Sequence, residues 1–175
     1  MAHVGILLKM DRNQDDAQVQ LEACIALWNL AVNDADRVTL VVAEAQVRII
    51  RAMDRHQDDA RVQEVACLAL WNLALNDANE VTLVAAEAHV RIIRAMDRHQ
   101  ADAKVQETAC GALWNFAVNN ANKVTLVAAE AHVRIIRAMD RHQDDANVQH
   151  SAHHPRDGPA PRRRASAGGG LRRAI

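Results

Sequence analysis

Residues 68–78 read LALWNLALNDA, and this stretch decides the fold. Close copies stand at 25–35 (IALWNLAVNDA) and 111–121 (GALWNFAVNNA). The chain holds three Trp, one Phe and no Tyr, yet every indole sits beside an Asn at the same point of a repeated segment. Trp28, Trp71 and Trp114 are 43 residues apart, as are Cys24, Cys67 and Cys110. Residues 45–87 and 88–130 agree at 34 of 43 positions, and the phase reaches back to Ala2, where AHVGILLKMDRNQDDAQVQ aligns with AHVRIIRAMDRHQADAKVQ. A period of this length marks a solenoid, in which each unit buries its apolar face on its neighbours.

The period stops after Gln149. All three Pro and four of the six Gly follow it, in HSAHHPRDGPAPRRRASAGGGLRRAI. The reading is therefore a repeat array over 2–149 of about three and a half units, then a disordered basic tail over 150–175. Residues 151–175 carry a net charge of +5 against −1 for the whole, so 1–150 carry −6. The truncated last unit leaves apolar surface at the C-terminal end, an opening for self-association or the mark of a fragment of a longer array.

Helix signals dominate each unit, since neither Gly nor Pro occurs between Ile6 and Cys110. The run DDARVQEVACLALWNLAL predicts a helix capped by Asp58 or Asp59 and stopped near Asn76. Asn79 can cap the next, which starts at EVTLVAAEA, and AHVRIIRAMDRHQ follows without a breaker. The fold class is all-α. No run of eighteen apolar residues spans a membrane, and the N-terminus lacks the features of a signal peptide, so the chain reads as intracellular. Its cysteines recur too far apart to pair and are expected to stay reduced as small core side chains.

The three-part unit resembles an armadillo repeat, the unit of catenins and importin-alpha adaptors. VQEVACLALWNLA is similar to that family's third helix, NEVTLVAAEA to its first and AHVRIIRAM to its second. The resemblance covers 2–149. It implies a right-handed α-α superhelix, no catalytic activity and no cofactor, and an extended peptide bound in a groove lined by third helices. By motif position the family's backbone-binding asparagine ladder falls on Asn29, Asn72 and Asn115. Two departures stand out. The family's groove Trp precedes the Asn by four residues, where this chain has Ile25, Leu68 and Gly111. The Gly between first and second helices is replaced by Glu44-Ala45, Glu87-Ala88 and Glu130-Ala131. Because Glu44–Arg48, Glu87–Arg91 and Glu130–Arg134 stand at i,i+4, these two helices are expected to merge into one long or bent helix, closer to a HEAT repeat.

At 100° per residue, Val62, Ala66, Ala69, Leu70 and Leu73 form the core stripe of the third helix, and Trp71 falls on the opposite side. Two readings remain open. Trp28, Trp71 and Trp114 line the groove beside the Asn ladder, with Leu68, as amphipathic anchors; or they fill the seam between units. The asparagines are either the ladder or solvated helix residues bonding their own backbone.

Arginines recur at 48, 51 and 55, at 91, 94 and 98, and at 134, 137 and 141, one face per helix. A nucleic-acid or phosphate surface is the alternative function, disfavoured by interleaved acids and by the lack of aromatics to stack on bases. His56, His99 and His142 have no ligand partner at i,i+4, so no metal site is expected. Ser166, in RRAS, resembles a basophilic kinase site. No phosphate loop, carboxylate pair or nucleophile motif points to an enzyme. The sequence thus describes a non-enzymatic scaffold for a protein or peptide partner, with Trp28, Asn29, Leu68, Trp71, Asn72, Trp114 and Asn115 as its contact residues.

Overall fold

The computed structural model describes residues 2–153; Ser166 and the rest of the tail beyond His153 lie outside them. Among the described residues every element is helical. The helices are α1 (Ala2–Arg12), α2 (Ala17–Leu30), α3 (Asp34–Val42), α4 (Ala45–Arg55), α5 (Ala60–Leu73) and α6 (Asp77–Ala85). There follow α7 (Ala88–Arg98), α8 (Ala103–Val118), α9 (Asn120–Ala128), α10 (Ala131–Arg141) and α11 (Ala146–His153). Like helices stack on like. The third helices α2, α5, α8 and α11 form one row, the second helices α1, α4, α7 and α10 another, and the first helices α3, α6 and α9 a third. The chain is thus an α-helical solenoid of four units, α1–α2, α3–α5, α6–α8 and α9–α11, joined at three seams. No helix among the described residues is long and apolar enough to cross a membrane.

Capping explains where the helices start. Asp16, Asp59 and Asp102 take extended backbone and accept from amides of the first turn of α2, α5 and α8, satisfying donors that the helix leaves orphaned. First helices are capped by Asn33, Asn76 and Asn119. The expectation that Asn79 caps α6 is therefore corrected. It lies inside that helix, and its Nδ2 donates to Leu73 O at 3.0 Å, closing the end of α5; Asn122 repeats this on Phe116 O at 3.1 Å.

First and second helices do not merge. Glu44, Glu87 and Glu130 adopt the left-handed conformation, with φ of 58°, 59° and 55°. They take the backbone shape of the glycine they replace. The Glu87 N–H turns back to Val84 O at 2.9 Å and ends α6. Left-handed backbone costs an L-residue about 1–2 kcal/mol. The offset is the burial of Ala88, Ile92, Ile93, Ala95 and Met96 once α7 swings onto the core. The i,i+4 pairs expected to fuse the helices do form, at 2.7 Å for Arg91–Glu87 and 2.6 Å for Arg134–Glu130, but the Glu stands outside the helix it supports.

Glutamine holds each second helix to its third. Gln63 Nε2 donates to Met53 O at 3.1 Å and His56 O at 2.9 Å, and Gln20, Gln106 and Gln149 repeat the arrangement. These bonds satisfy the last carbonyls of the second helices inside the core.

Candidate interaction surface

A third helix in the middle of the array has almost no free face. α5 buries Val62, Ala66 and Leu73 on its own unit, and also Cys67, Leu68 and Trp71. Trp71 is 2% exposed and Trp28 5%. The seam reading of the indoles is the one the structure takes at these two positions. The reason is visible at Gly111, where an added Cβ would lie 2.5–2.6 Å from three carbons of the Trp71 ring. The indole of one unit fills the space that the next unit leaves by having no side chain. Trp114, next to the short α11, stays partly exposed, and Leu68 is buried.

The three ladder asparagines occupy three different environments. Asn29, on the first unit, is exposed. Asn72 crosses the first seam, where its Nδ2 donates to Trp28 O at 3.0 Å and Ala31 O at 3.1 Å. It ties α5 to the end of α2 and is consumed in doing so. Asn115 stands at the same place in the second seam and is 2% exposed. Neither its Nδ2 nor its Oδ1 has a hydrogen-bond partner. The cause lies at the end of α5. Ala74, the counterpart of Ala31, has ψ −4° instead of 51°, and its N–H engages Leu70 O at 3.0 Å and Trp71 O at 3.1 Å. The helix end closes on itself, its Trp71 carbonyl taken by Ala74 N–H, and Asn115 makes neither of the bonds that Asn72 makes to α2.

A cleft of about 240 Å³ opens at this point, walled by Arg37 of α3, Asp77 and Glu80 of α6, Leu75, and Asn115 and Val118 of α8. Arg37 bonds Asp34 at 2.9 Å and Val32 O at 3.3 Å, while its buried Nε has no partner. The cleft is therefore bordered by an unpaired carboxamide and one unpaired guanidinium N–H, both buried behind its wall, and by the side chains of Asp77 and Glu80. Sequence reading found Asn115 but not Arg37, Asp77 or Glu80. Position 37/80/123 carries Arg, Glu and Lys in successive copies, and such sign changes in a near-identical repeat were the available signal.

The arginine face is largely neutralised by the preceding unit. Arg48 and Arg51 of α4 grip Asp11 at 2.9 and 3.0 Å, and Arg91 and Arg94 of α7 grip Asp54 at 3.3 and 3.0 Å. Arg55 pairs with Asp15 at 2.7 Å and Arg98 with Asp58; the Arg55 guanidinium holds the Asp15 carboxyl below its usual range. The histidines with no metal partner also belong to the seams. His56, His99 and His142 place Nε2 at 2.8, 2.7 and 2.9 Å from carbonyls of Gln14, Gln57 and Gln100 in the unit before. Among the described residues no cluster of His, Cys, Asp and Glu is arranged to hold a metal ion. The three cysteines are free and buried, and burial pushes the Cys24 and Cys110 thiols up to about 12, so they are packing groups without nucleophilic character at neutral pH.

The end face of the fourth unit is apolar. Val127 is 60% and Ile136 55% exposed, where the counterparts Val84 and Ile93 are buried. A second copy stacked head to tail would bring Gly5 and Leu8 to the places of Arg48 and Arg51, leaving Asp140 without the arginines that its counterparts Asp11 and Asp54 receive.

A family model described as the LRRK2 ARM repeat matches residues 3–154. No curated protein and no solved structure matches the chain.

Proposed function

The chain belongs to the LRRK2 ARM repeat family, and from that premise we propose that it is a non-enzymatic interaction scaffold that holds an extended peptide at the second seam. The observation that carries this reading is the unpaired carboxamide of Asn115 in the wall of the cleft. A buried polar group without a partner costs about 1–3 kcal/mol. A peptide group supplies one N–H and one C=O, the complement of one Asn side chain. An extended chain docking there recovers that cost once the Asn115 side chain turns into the cleft, and Arg37 Nε, turned the same way, offers a further donor to a peptide carbonyl or carboxylate. Leu75 and Val118, which line the same cleft, supply the neighbouring apolar contact. Of the contact residues expected from the sequence, Asn115 carries the proposal, while Trp114 lies on the side of α8 next to α11. Trp28, Leu68, Trp71 and Asn72 serve the stack, and Asn29 is exposed on the first unit.

Panning a random peptide display library against the full chain tests the reading. Selected peptides should bind the Asn115→Ala variant about tenfold more weakly, the loss of one or two hydrogen bonds in a shielded site. Arg37→Ala should weaken them as well. Peptides that bind Asn115→Ala and Arg37→Ala as tightly as the parent chain would place the groove elsewhere or nowhere.

A further inference from the structure

The seams provide a controlled comparison on the arginine face. At the first and second seams the space beside the arginines is closed, with no room for a water molecule. At the third, the same wall of second-helix residues opens into a cleft of about 360 Å³ lined by Asp97, Gln100, Arg134, Arg137, Asp140 and Arg141. Two changes account for this. Asp15 and Asp58, which pair with Arg55 and Arg98, are followed in the repeat by Ala101. Arg141 has lost its carboxylate and holds only the neutral Gln100 Oε1, at 3.1 Å. Asp97 is approached by Arg134 alone, at 3.4 Å, whereas Asp11 and Asp54 each receive two arginines. Arg137, the counterpart of Arg51 and Arg94, pairs with no carboxylate among the described residues.

We propose that the third seam is a binding site for a phosphomonoester dianion, held by Arg137 and Arg141. Three arginines meet one carboxylate from across this seam, where each of the other two seams supplies a second; from the arginines' own helix, Asp140 also lines the cleft. Guanidinium groups bind phosphate oxygens through paired N–H donors, and both side chains are exposed and free to turn inward. The cleft has room for the phosphate without displacing the seam. The same groups explain why the rest of the arginine face is not a nucleic-acid surface, since its charges are already spent on the preceding unit. The site lies on the second-helix face and does not rest on the reading of Asn115.

The test is a titration of the full chain, followed by the Arg Nε–H NMR signals, with inorganic phosphate and separately with a phosphoserine peptide and its unphosphorylated form. Shifts confined to Arg137, Arg141 and Arg134 are expected. Binding should fall about tenfold or more in Arg137→Ala/Arg141→Ala, weaken with salt, and weaken below about pH 6, where the dianion takes up a proton. The decisive variant is Ala101→Asp, which restores the residue found at Asp15 and Asp58 and so fits the fold. It should suppress binding by about as much as the double variant. Equal affinity for phosphate and phosphopeptide identifies free phosphate as the ligand; tighter phosphopeptide binding, with none by its unphosphorylated form, identifies a phosphorylated side chain. No binding of either probe, affinity unchanged by Ala101→Asp, or shifts spread over the arginines of all three seams would overturn the proposal.

Discussion

At the first seam, Asn72 reaches across to the end of α2 and holds two carbonyls. At the second, Asn115 occupies the corresponding place with neither amide atom engaged. The two seams are built from nearly the same sequence, so the differences between them are few. Leu68 faces the first seam where Gly111 faces the second, and the Trp71 ring sinks into the gap that Gly111 leaves. The end of α5 then closes on its own carbonyls, and α8 runs on to Val118 while α5 stops at Leu73. A solenoid can therefore spend a polar side chain on its own cohesion in one unit and leave the identical side chain unengaged in the next.

Restoring a side chain at Gly111 should break this contrast most severely. Gly111→Leu inserts the residue of the first seam against an indole already in place, and the expected loss is about 3 kcal/mol, read as a drop in the urea midpoint. An unchanged midpoint would show that the Trp71 ring does not fill this space. Asn72→Ala comes next. It leaves the Trp28 and Ala31 carbonyls unpaired in a partly buried seam, and a loss of about 2 kcal/mol is expected, again from urea unfolding. A smaller effect, specific to pH, should separate the third unit from the second. His89 stands where the second unit has Gln46, and burial, the largest cause, holds the imidazole below its usual value of 6.5. The unfolded chain then takes up a proton that the folded chain resists, so stability present above pH 6.5 is lost as pH falls through the lower, folded value. The melting temperature measured from pH 7.5 down to 5 should fall less steeply in His89→Gln; parallel curves would remove His89 from the account.

The stack was legible because it is written in the 43-residue recurrence of Trp, Cys and the apolar stripe, a signal that needs no knowledge of packing. The path of the chain between first and second helices was not. Glu has no preference for left-handed backbone, and its i,i+4 spacing to Arg favours a continuous helix; only the tertiary burial of the following second helix explains the break. The place of the indoles stayed open between groove and seam for a related reason. A helical wheel allots one core face to a helix, but α5 is packed by α2 on one side, α8 on the other and its own unit beneath. Asn115 was found by motif position, while the property that distinguishes it from Asn72 depends on a 55° difference in ψ between Ala31 and Ala74, which similar sequences do not announce. The quenching of the arginine face was half legible, since acids were seen to interleave, but the partners proved to be carboxylates of the preceding unit.

The central claim, that Asn115 is left unengaged by the fold while Asn72 is consumed by it, is tested most directly by the urea midpoint of Asn115→Ala measured beside that of Asn72→Ala. Removing a buried carboxamide that bonds nothing should leave the midpoint unchanged or raise it. A fall as large as that of Asn72→Ala would mean that Asn115 also holds its seam, and would contradict the account.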